Sequence, residues 1–115
     1  MSQLYFHYAA MNSGKSLALL SHAHNYKERG MGTLVMKPAI DDRDSSTEIV
    51  SRIGLKQEAN MIKPGMNLFE FFKWAQVQRD IHCVMVDEAQ FLEPEQVLQL
   101  CNIVDHYNVP AMCYG

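Results

Sequence analysis

The sequence predicts a three-layer α/β domain with a mainly parallel sheet, on the strength of two motifs and the pattern between them. The first motif is Ala9-Ala10-Met11-Asn12-Ser13-Gly14-Lys15-Ser16, set between the apolar run Leu4 to Tyr8 and a helix-like stretch opening Leu17-Ala18-Leu19-Leu20. The second is Asp87-Glu88-Ala89-Gln90-Phe91, which ends the apolar run Ile81 to Val86. Between them strand-like and helix-like patterns alternate, the order that builds βαβ units.

A strand, a tight turn and a helix N-terminus, in that order, make a phosphate cradle. Backbone N–H groups of the turn converge on an anion, and the first unpaired amides of the helix add partial positive charge. Lys15 reaches the outer phosphates, the Ser16 hydroxyl can ligate Mg²⁺, and Gly14 lets backbone and phosphate approach closely. The sequence departs from G-x-x-x-x-G-K-[ST] in one place, since Ala9 stands where the pattern has its first glycine. Alanine costs little there at a negative φ and is strained at a positive one. Gly-Lys-Ser alone is also an ordinary polar turn before a helix; the flanking elements and the acidic motif downstream decide for the cradle. The expected architecture is P-loop NTPase-like (RecA-like), with residues 1–115 forming one nucleotide-binding domain.

A chain of 115 residues suffices for one core and is short for a complete enzyme. Its 48% hydrophobic and 20% charged composition is that of an ordinary soluble globular domain. A net charge of -3 and a pI near 5.9 give no polyelectrolyte footprint, which argues for a small nucleotide and against nucleic acid as a partner. Met1-Ser2-Gln3 lacks a basic n-region and no apolar run approaches the ~18 residues of a membrane span, so the expectation is a cytoplasmic location with no membrane partner. Cys83, Cys101 and Cys113 are odd in number, far apart and without a C-x-x-C pair, and read as buried reduced thiols. His22 and His24, two apart on a helix, face different ways and make no ligand pair.

Leu4 to Tyr8, with His7 inside it, has the pattern of a mostly buried parallel strand. The helix after Ser16 sets Leu19, Ala23 and Tyr26 on one face and ends at Lys27-Glu28-Arg29-Gly30, basic residues before a glycine cap. Thr33 to Lys37 is a second strand, stopped by Pro38. From Ala39 to Gly54 periodicity fails, and this polar stretch reads as a loop long enough to signal function or mobility. Most of its charges suit a solvated surface. Asp41 and Arg43 stand apart, because they lie just beyond the carboxyl end of a strand, where open α/β sheets bind ligands. A short strand within Lys56 to Ile62 and a turn at Lys63-Pro64-Gly65 come next. Asn67 then caps a helix whose apolar face is Leu68, Phe71, Phe72 and Ala75, with Trp74 beside it as packing rather than a base-stacking platform. Glu93-Pro94-Glu95 opens another helix, with Val97, Cys101 and Val104 as its inward stripe and Asn108 at its end. Val109 to Tyr114 is the last strand.

Carboxylates at the carboxyl end of an apolar strand lie beside the phosphate turn in a nucleotide-binding sheet. Asp87 is then placed to hold Mg²⁺ through water in the Walker B manner, and Glu88 to accept a proton from an attacking nucleophile. Two acids also simply end many strands; here the two motifs support each other, because Mg²⁺-nucleotide chemistry needs both. Taken with Asp41-Asp42-Arg43 and Ser51-Arg52-Ile53-Gly54, Met11 to Ser16 and Asp87 to Phe91 give a sequence that resembles the N-terminal P-loop domain of the cytosolic, type II thymidine kinases. The resemblance runs from Leu4 to Gly115.

That resemblance implies an ATP-dependent deoxynucleoside kinase, converting ATP and thymidine to ADP and dTMP in pyrimidine salvage for DNA synthesis. It makes Ala9 to Ser16 and Arg43 the phosphate-binding set, and Ser16, Asp41 and Asp87 the Mg²⁺ set. Glu88 becomes the general base for the nucleoside 5′-hydroxyl, and Met11 and Phe91 line the thymine pocket. It implies a homodimer or homotetramer too. The family's C-terminal zinc ribbon and lasso loop follow the last strand, and their residues, the zinc ligands included, are not among these 115. In P-loop domains with a glutamate after the Walker B aspartate, the strand after Walker B inserts between the Walker B strand and the phosphate-loop strand. The expected order therefore sets Val109 to Tyr114 between Leu4 to Tyr8 and Ile81 to Val86, with Thr33 to Lys37 beyond, and leaves Leu4 to Tyr8 paired on one side only. Two other functions stay open. Asp87-Glu88-Ala89-Gln90 also resembles the DEAx box of helicase or motor ATPases, although those pair two such domains and carry a basic nucleic-acid surface. A non-catalytic ATP-binding fragment without the acceptor-site lid is the other.

Overall fold

The computed structural model describes residues 3–7, 15–39, 48–50 and 56–115. In chain order it has β1 (Leu4–His7), α1 (Lys15–Glu28), β2 (Thr33–Pro38), β3 (Glu48–Val50), β4 (Lys56–Glu58) and β5 (Asn60–Ile62). There follow α2 (Leu68–Gln78), β6 (Cys83–Val86), a 3-10 turn (Ala89–Phe91), α3 (Pro94–Tyr107) and β7 (Ala111–Tyr114). β1, β7, β6, β2 and β5 form one parallel sheet in that order, and β3 and β4 an antiparallel pair.

The central strands are apolar on both sides, so both faces of the sheet need cover. β2 shows the division: Leu34 and Met36 join Leu68, Phe72, Leu100 and Ile103 of α2 and α3, whereas Val35 joins Leu19, Leu20 and Ala23 of α1. β6 splits likewise, with Val84 and Val86 toward one cluster and Cys83 and Met85 toward the other. Three layers result, α1 on one face and α2 with α3 on the other. Each fully buried Val or Leu of this core contributes about 1.5–3 kcal/mol, so the middle of the sheet fixes where its strand ends lie. β7 sits between β1 and β6 with β2 beyond, the order the two motifs predict, and β1 pairs with β7 alone among the described strands.

The helices end where their local chemistry dictates. The Asn67 side chain accepts the Glu70 N–H at 3.0 Å and starts α2. Pro94 opens α3, and the Glu93 N–H donates to Gln96 Oε1 at 3.0 Å. Gly30 after α1 and Asn108 after α3 take the left-handed conformation, at φ +72° and φ 55°, that lets the chain turn away from a helix.

Several expectations are corrected. β1 is less buried than its apolar pattern suggests, with Tyr5 43% and Phe6 39% exposed, because it lies at the sheet edge. The stretch from Ala39 to Gly54 is not all loop: β3 lies in it, held by its hairpin with β4 and by Ile49, which packs into the cluster under α1. The strand expected within Lys56 to Ile62 is two strands parted at Ala59, the first pairing with β3 and the second with β2. Trp74 is 60% exposed and touches Phe71 rather than the core. The inward stripe of α3 is Gln96, Leu100, Ile103 and Val104, with Val97 and Cys101 only half-buried at its margin.

Candidate active site

Parallel strands end on the same side, and the carboxyl ends of β1, β7, β6 and β2 form one edge of this sheet. At that edge β1 ends at His7, and after residues 8–14, which lie outside the described residues, α1 begins at Lys15. β6 delivers Asp87, whose N–H donates to the Met36 carbonyl of β2 at 2.9 Å, so the aspartate continues the sheet pairing by one residue. Its side chain is 5% exposed. With β7 between them, β1 and β6 are two strand spacings apart, about 10 Å.

Glu88 follows in the left-handed conformation, at φ 53° and ψ 41°. For a residue with a Cβ that conformation costs about 1–2 kcal/mol, and backbone strain of this kind gathers at functional sites. It reverses the chain sharply into the 3-10 turn, where the Phe91 N–H donates to the Glu88 carbonyl at 3.1 Å. The half-buried Glu88 carboxylate accepts a hydrogen bond from the Gln90 amide, Nε2 to Oε2 at 2.9 Å. Phe91, whose N–H closes that turn, is 51% exposed. The turn therefore carries a carboxylate that can take a proton at Glu88, a hard oxygen donor at Asp87 and an exposed aromatic side chain at Phe91.

Of the residues singled out from sequence, Asp87, Glu88 and Phe91 are brought together on one turn. Ala9, Ala10, Met11, Asn12, Ser13, Gly14, Asp41 and Arg43 lie outside the described residues, as do Ser51 to Gly54 and the side chains of Lys15 and Ser16. Two features were not anticipated. Gln90, a member of the acidic motif with no role of its own there, contacts Glu88 directly. Lys37 is 7% exposed on β2, one residue past the Met36–Val86 pair and so level with Asp87. A lysine inside an otherwise apolar strand was the signal for it. Among the described residues no group of three or more His, Cys, Asp or Glu side chains comes together to hold a metal, and no helix is long and apolar enough to cross a membrane.

Comparison with known proteins agrees with this arrangement. A family model described as thymidine kinase matches residues 2–115. Over all 115 residues the chain is 69% identical to the thymidine kinase of Enterobacteria phage T4, and covers 60% of that protein. It is 49% identical to the thymidine kinase of Mannheimia succiniciproducens and 50% identical to that of Salmonella choleraesuis, again over its whole length, covering 59% and 56% of them. The chain thus spans about 60% or slightly less of the length of these relatives. With a parallel sheet, the acidic motif at its carboxyl edge and a family match across nearly every residue, the chain belongs to the thymidine kinase family.

Proposed function

We propose that the protein carrying this chain is an ATP-dependent thymidine kinase, which moves the γ-phosphoryl group of ATP to the 5′-hydroxyl of thymidine and yields ADP and dTMP. The observation that carries the proposal is the pair Asp87-Glu88 at the end of a central parallel strand, two strands from β1, the strand that precedes the Gly14-Lys15-Ser16 motif in the chain. Phosphoryl transfer asks little covalent chemistry of a protein and much positioning and charge neutralisation. In this reading Ala9 to Ser16 and Arg43 hold the triphosphate. Ser16, Asp41 and Asp87 are all hard oxygen donors, a set that fits Mg²⁺ rather than a thiolate-seeking metal. Mg²⁺, when bound, neutralises charge on the phosphates.

Glu88 takes the proton of the 5′-hydroxyl in this reading, from the turn that directly follows the strand carrying Asp87. Met11 and Phe91 flank the thymine ring, for which the exposed face of Phe91 is a suitable stacking surface. The relatives' names support thymidine as the acceptor. A homodimer or homotetramer in the cytoplasm belongs to the same reading. The test is turnover with ATP and thymidine, with ATP and single-stranded DNA, and with ATP alone. Formation of dTMP is the expected result. Hydrolysis of ATP stimulated by DNA, with no dTMP, indicates a motor ATPase; binding of ATP without turnover in any mixture indicates a nucleotide-binding half that needs further chain.

A further inference from the structure

A cleft of about 400 Å³ opens at the amino edge of the sheet, on the face that α1 covers. That volume lies within the roughly 300–1,000 Å³ of small-molecule sites. One wall is a stripe running down α1 and just past its end, where His22, Asn25, Tyr26 and Arg29 follow one another at i, i+3, i+4 and i+7. Facing it are His82 and Pro110, the residues before the strand runs of β6 and β7. Both are pinned by backbone pairing: the His82 N–H donates to the Gly32 carbonyl at 2.8 Å, and the Pro110 carbonyl accepts the Val84 N–H at 2.9 Å. Five steps of extended chain, about 16 Å, separate His82 from Asp87 at the carboxyl edge. The cleft and the candidate active site therefore do not overlap.

The chemistry of its walls is one-sided. The chain has a net charge of -3, yet the cleft gathers Arg29, His22, His82 and the Asn25 amide, with no carboxylate among its described lining residues. Arg29 is charged at every working pH and offers a planar fork of N–H donors. The Tyr114 hydroxyl lies 2.5 Å from Nδ1 of His22; where the phenol donates there, the neutral imidazole carries its proton on Nε2 and is a further donor. Burial first, and then Cys83, push the Tyr26 phenol up to about 12, while the Arg29 charge acts the other way. The phenol thus keeps its proton, and the guanidinium is near enough for its charge to be felt there. Donors come both from a helix and from a strand start, which suits a phosphate group with three terminal oxygens better than a carboxylate with two. Tyr26, Met31 and Pro110 add apolar surface for a body attached to that phosphate.

We infer that this cleft is a second anion site, which takes the phosphate group of a small molecule at Arg29, His22 and His82, apart from the catalytic edge. Nothing in it depends on the kinase reading. Free phosphate and a phosphate ester share this chemistry, and the test tells them apart.

Histidine ring signals in NMR spectra of the 115-residue chain are followed during titration with inorganic phosphate, phenyl phosphate and benzoate, at constant pH and ionic strength. Each titration is run on the unaltered chain and on Lys15→Ala, so that phosphate held by that lysine does not contribute. Saturable shifts of the His22 and His82 rings with phenyl phosphate are expected in both chains. Arg29→Gln should weaken that binding about ten-fold or more, the size of a hydrogen bond to a charged group, and His82→Gln several-fold. Lys27→Gln removes the same charge from an exposed position of α1 outside the cleft, and should change binding less than about two-fold. Arg29, His82 and Lys27 are all exposed, so the three variants should keep the unfolding midpoint of the unaltered chain. Tighter binding of phenyl phosphate than of inorganic phosphate assigns the cleft to a phosphate ester, and equal or weaker binding assigns it to free phosphate; either result supports the site. Shifts that do not saturate, that survive Arg29→Gln, or that benzoate produces as tightly as phenyl phosphate overturn it.

Discussion

At the scale of single residues, Glu88 separates chemistry from stability. Its backbone is held at φ 53°, where any side chain with a Cβ is strained, and its carboxylate is the base of the proposed reaction. Glu88→Gln keeps the backbone, the size and most of the polarity while removing the base. Mg²⁺-ATP affinity should stay nearly unchanged while thymidine turnover falls ~10²-fold or more, the size of a general-base contribution. Loss of ATP binding in that variant would instead make Glu88 a residue of the metal site. The strain itself is read by comparing Glu88→Gly with Glu88→Ala, neither of which has a carboxylate. Glycine adopts the left-handed region freely, so the glycine variant should be the more stable by about 1 kcal/mol in urea unfolding. Equal stability of the two would show that this φ carries no strain.

At the scale of elements, the fold is stitched where turns meet helices, and buried Gln96 is the main stitch on the α2 and α3 face. Its amide nitrogen donates to the carbonyls of Lys63 and Met66 at 3.3 and 3.2 Å, and its oxygen accepts the Glu93 N–H. Gln96→Ala strips partners from both sides of the turn before α2 and should lower stability by about 2–3 kcal/mol, with a lower urea midpoint and an unchanged m-value. An effect under about 0.5 kcal/mol would show that water replaces those bonds readily. The same residue explains what the sequence could not convey. Caps are local, so Asn67, Pro94 and Asn108 mark their helix ends in the sequence itself. The stripe of α3 is not local: Val97, Cys101 and Val104 are spaced as well for burial as Leu100, Ile103 and Val104, and packing on the sheet and α2, with Gln96 drawn inward, selects the second set. β3 was illegible for a similar reason, being three residues whose place is set by Ile49 under α1. In the candidate site, Asp87, Glu88 and Phe91 were legible as a contiguous motif. The left-handed turn at Glu88 and the His22–Tyr114 contact, which joins residues 92 apart in sequence, were not.

For the molecule as a whole, the two faces of the sheet each enclose a thiol, and those thiols tie stability to alkaline pH. Cys83 lies in the cluster under α1 and Cys113 in the cluster under α2 and α3. Burial pushes the Cys83 thiol from 9.0 to about 11 and the Cys113 thiol from 9.0 to about 12. These are acids whose folded-state values are raised. Below pH 9 both folded and unfolded chains hold the protons, and the full stability is present. Above it the unfolded chain releases them first, so stability falls as pH rises toward the folded-state values, by at most about 1.4 kcal/mol per unit for each thiol. Buried Tyr114 and half-buried Tyr26 are shifted upward as well and steepen the same decline. Urea unfolding at about pH 8 and about pH 10.5 should therefore show a loss of a few kcal/mol in the unaltered chain. The double variant Cys83→Ala with Cys113→Ala isolates the thiols. Its cavities lower stability at both pH values alike, so the quantity to compare is the difference between the two pH values. That difference should shrink by up to about 2 kcal/mol for each thiol removed. If the two chains lose the same amount between the two pH values, the thiols ionise as readily in the folded core as in the unfolded chain.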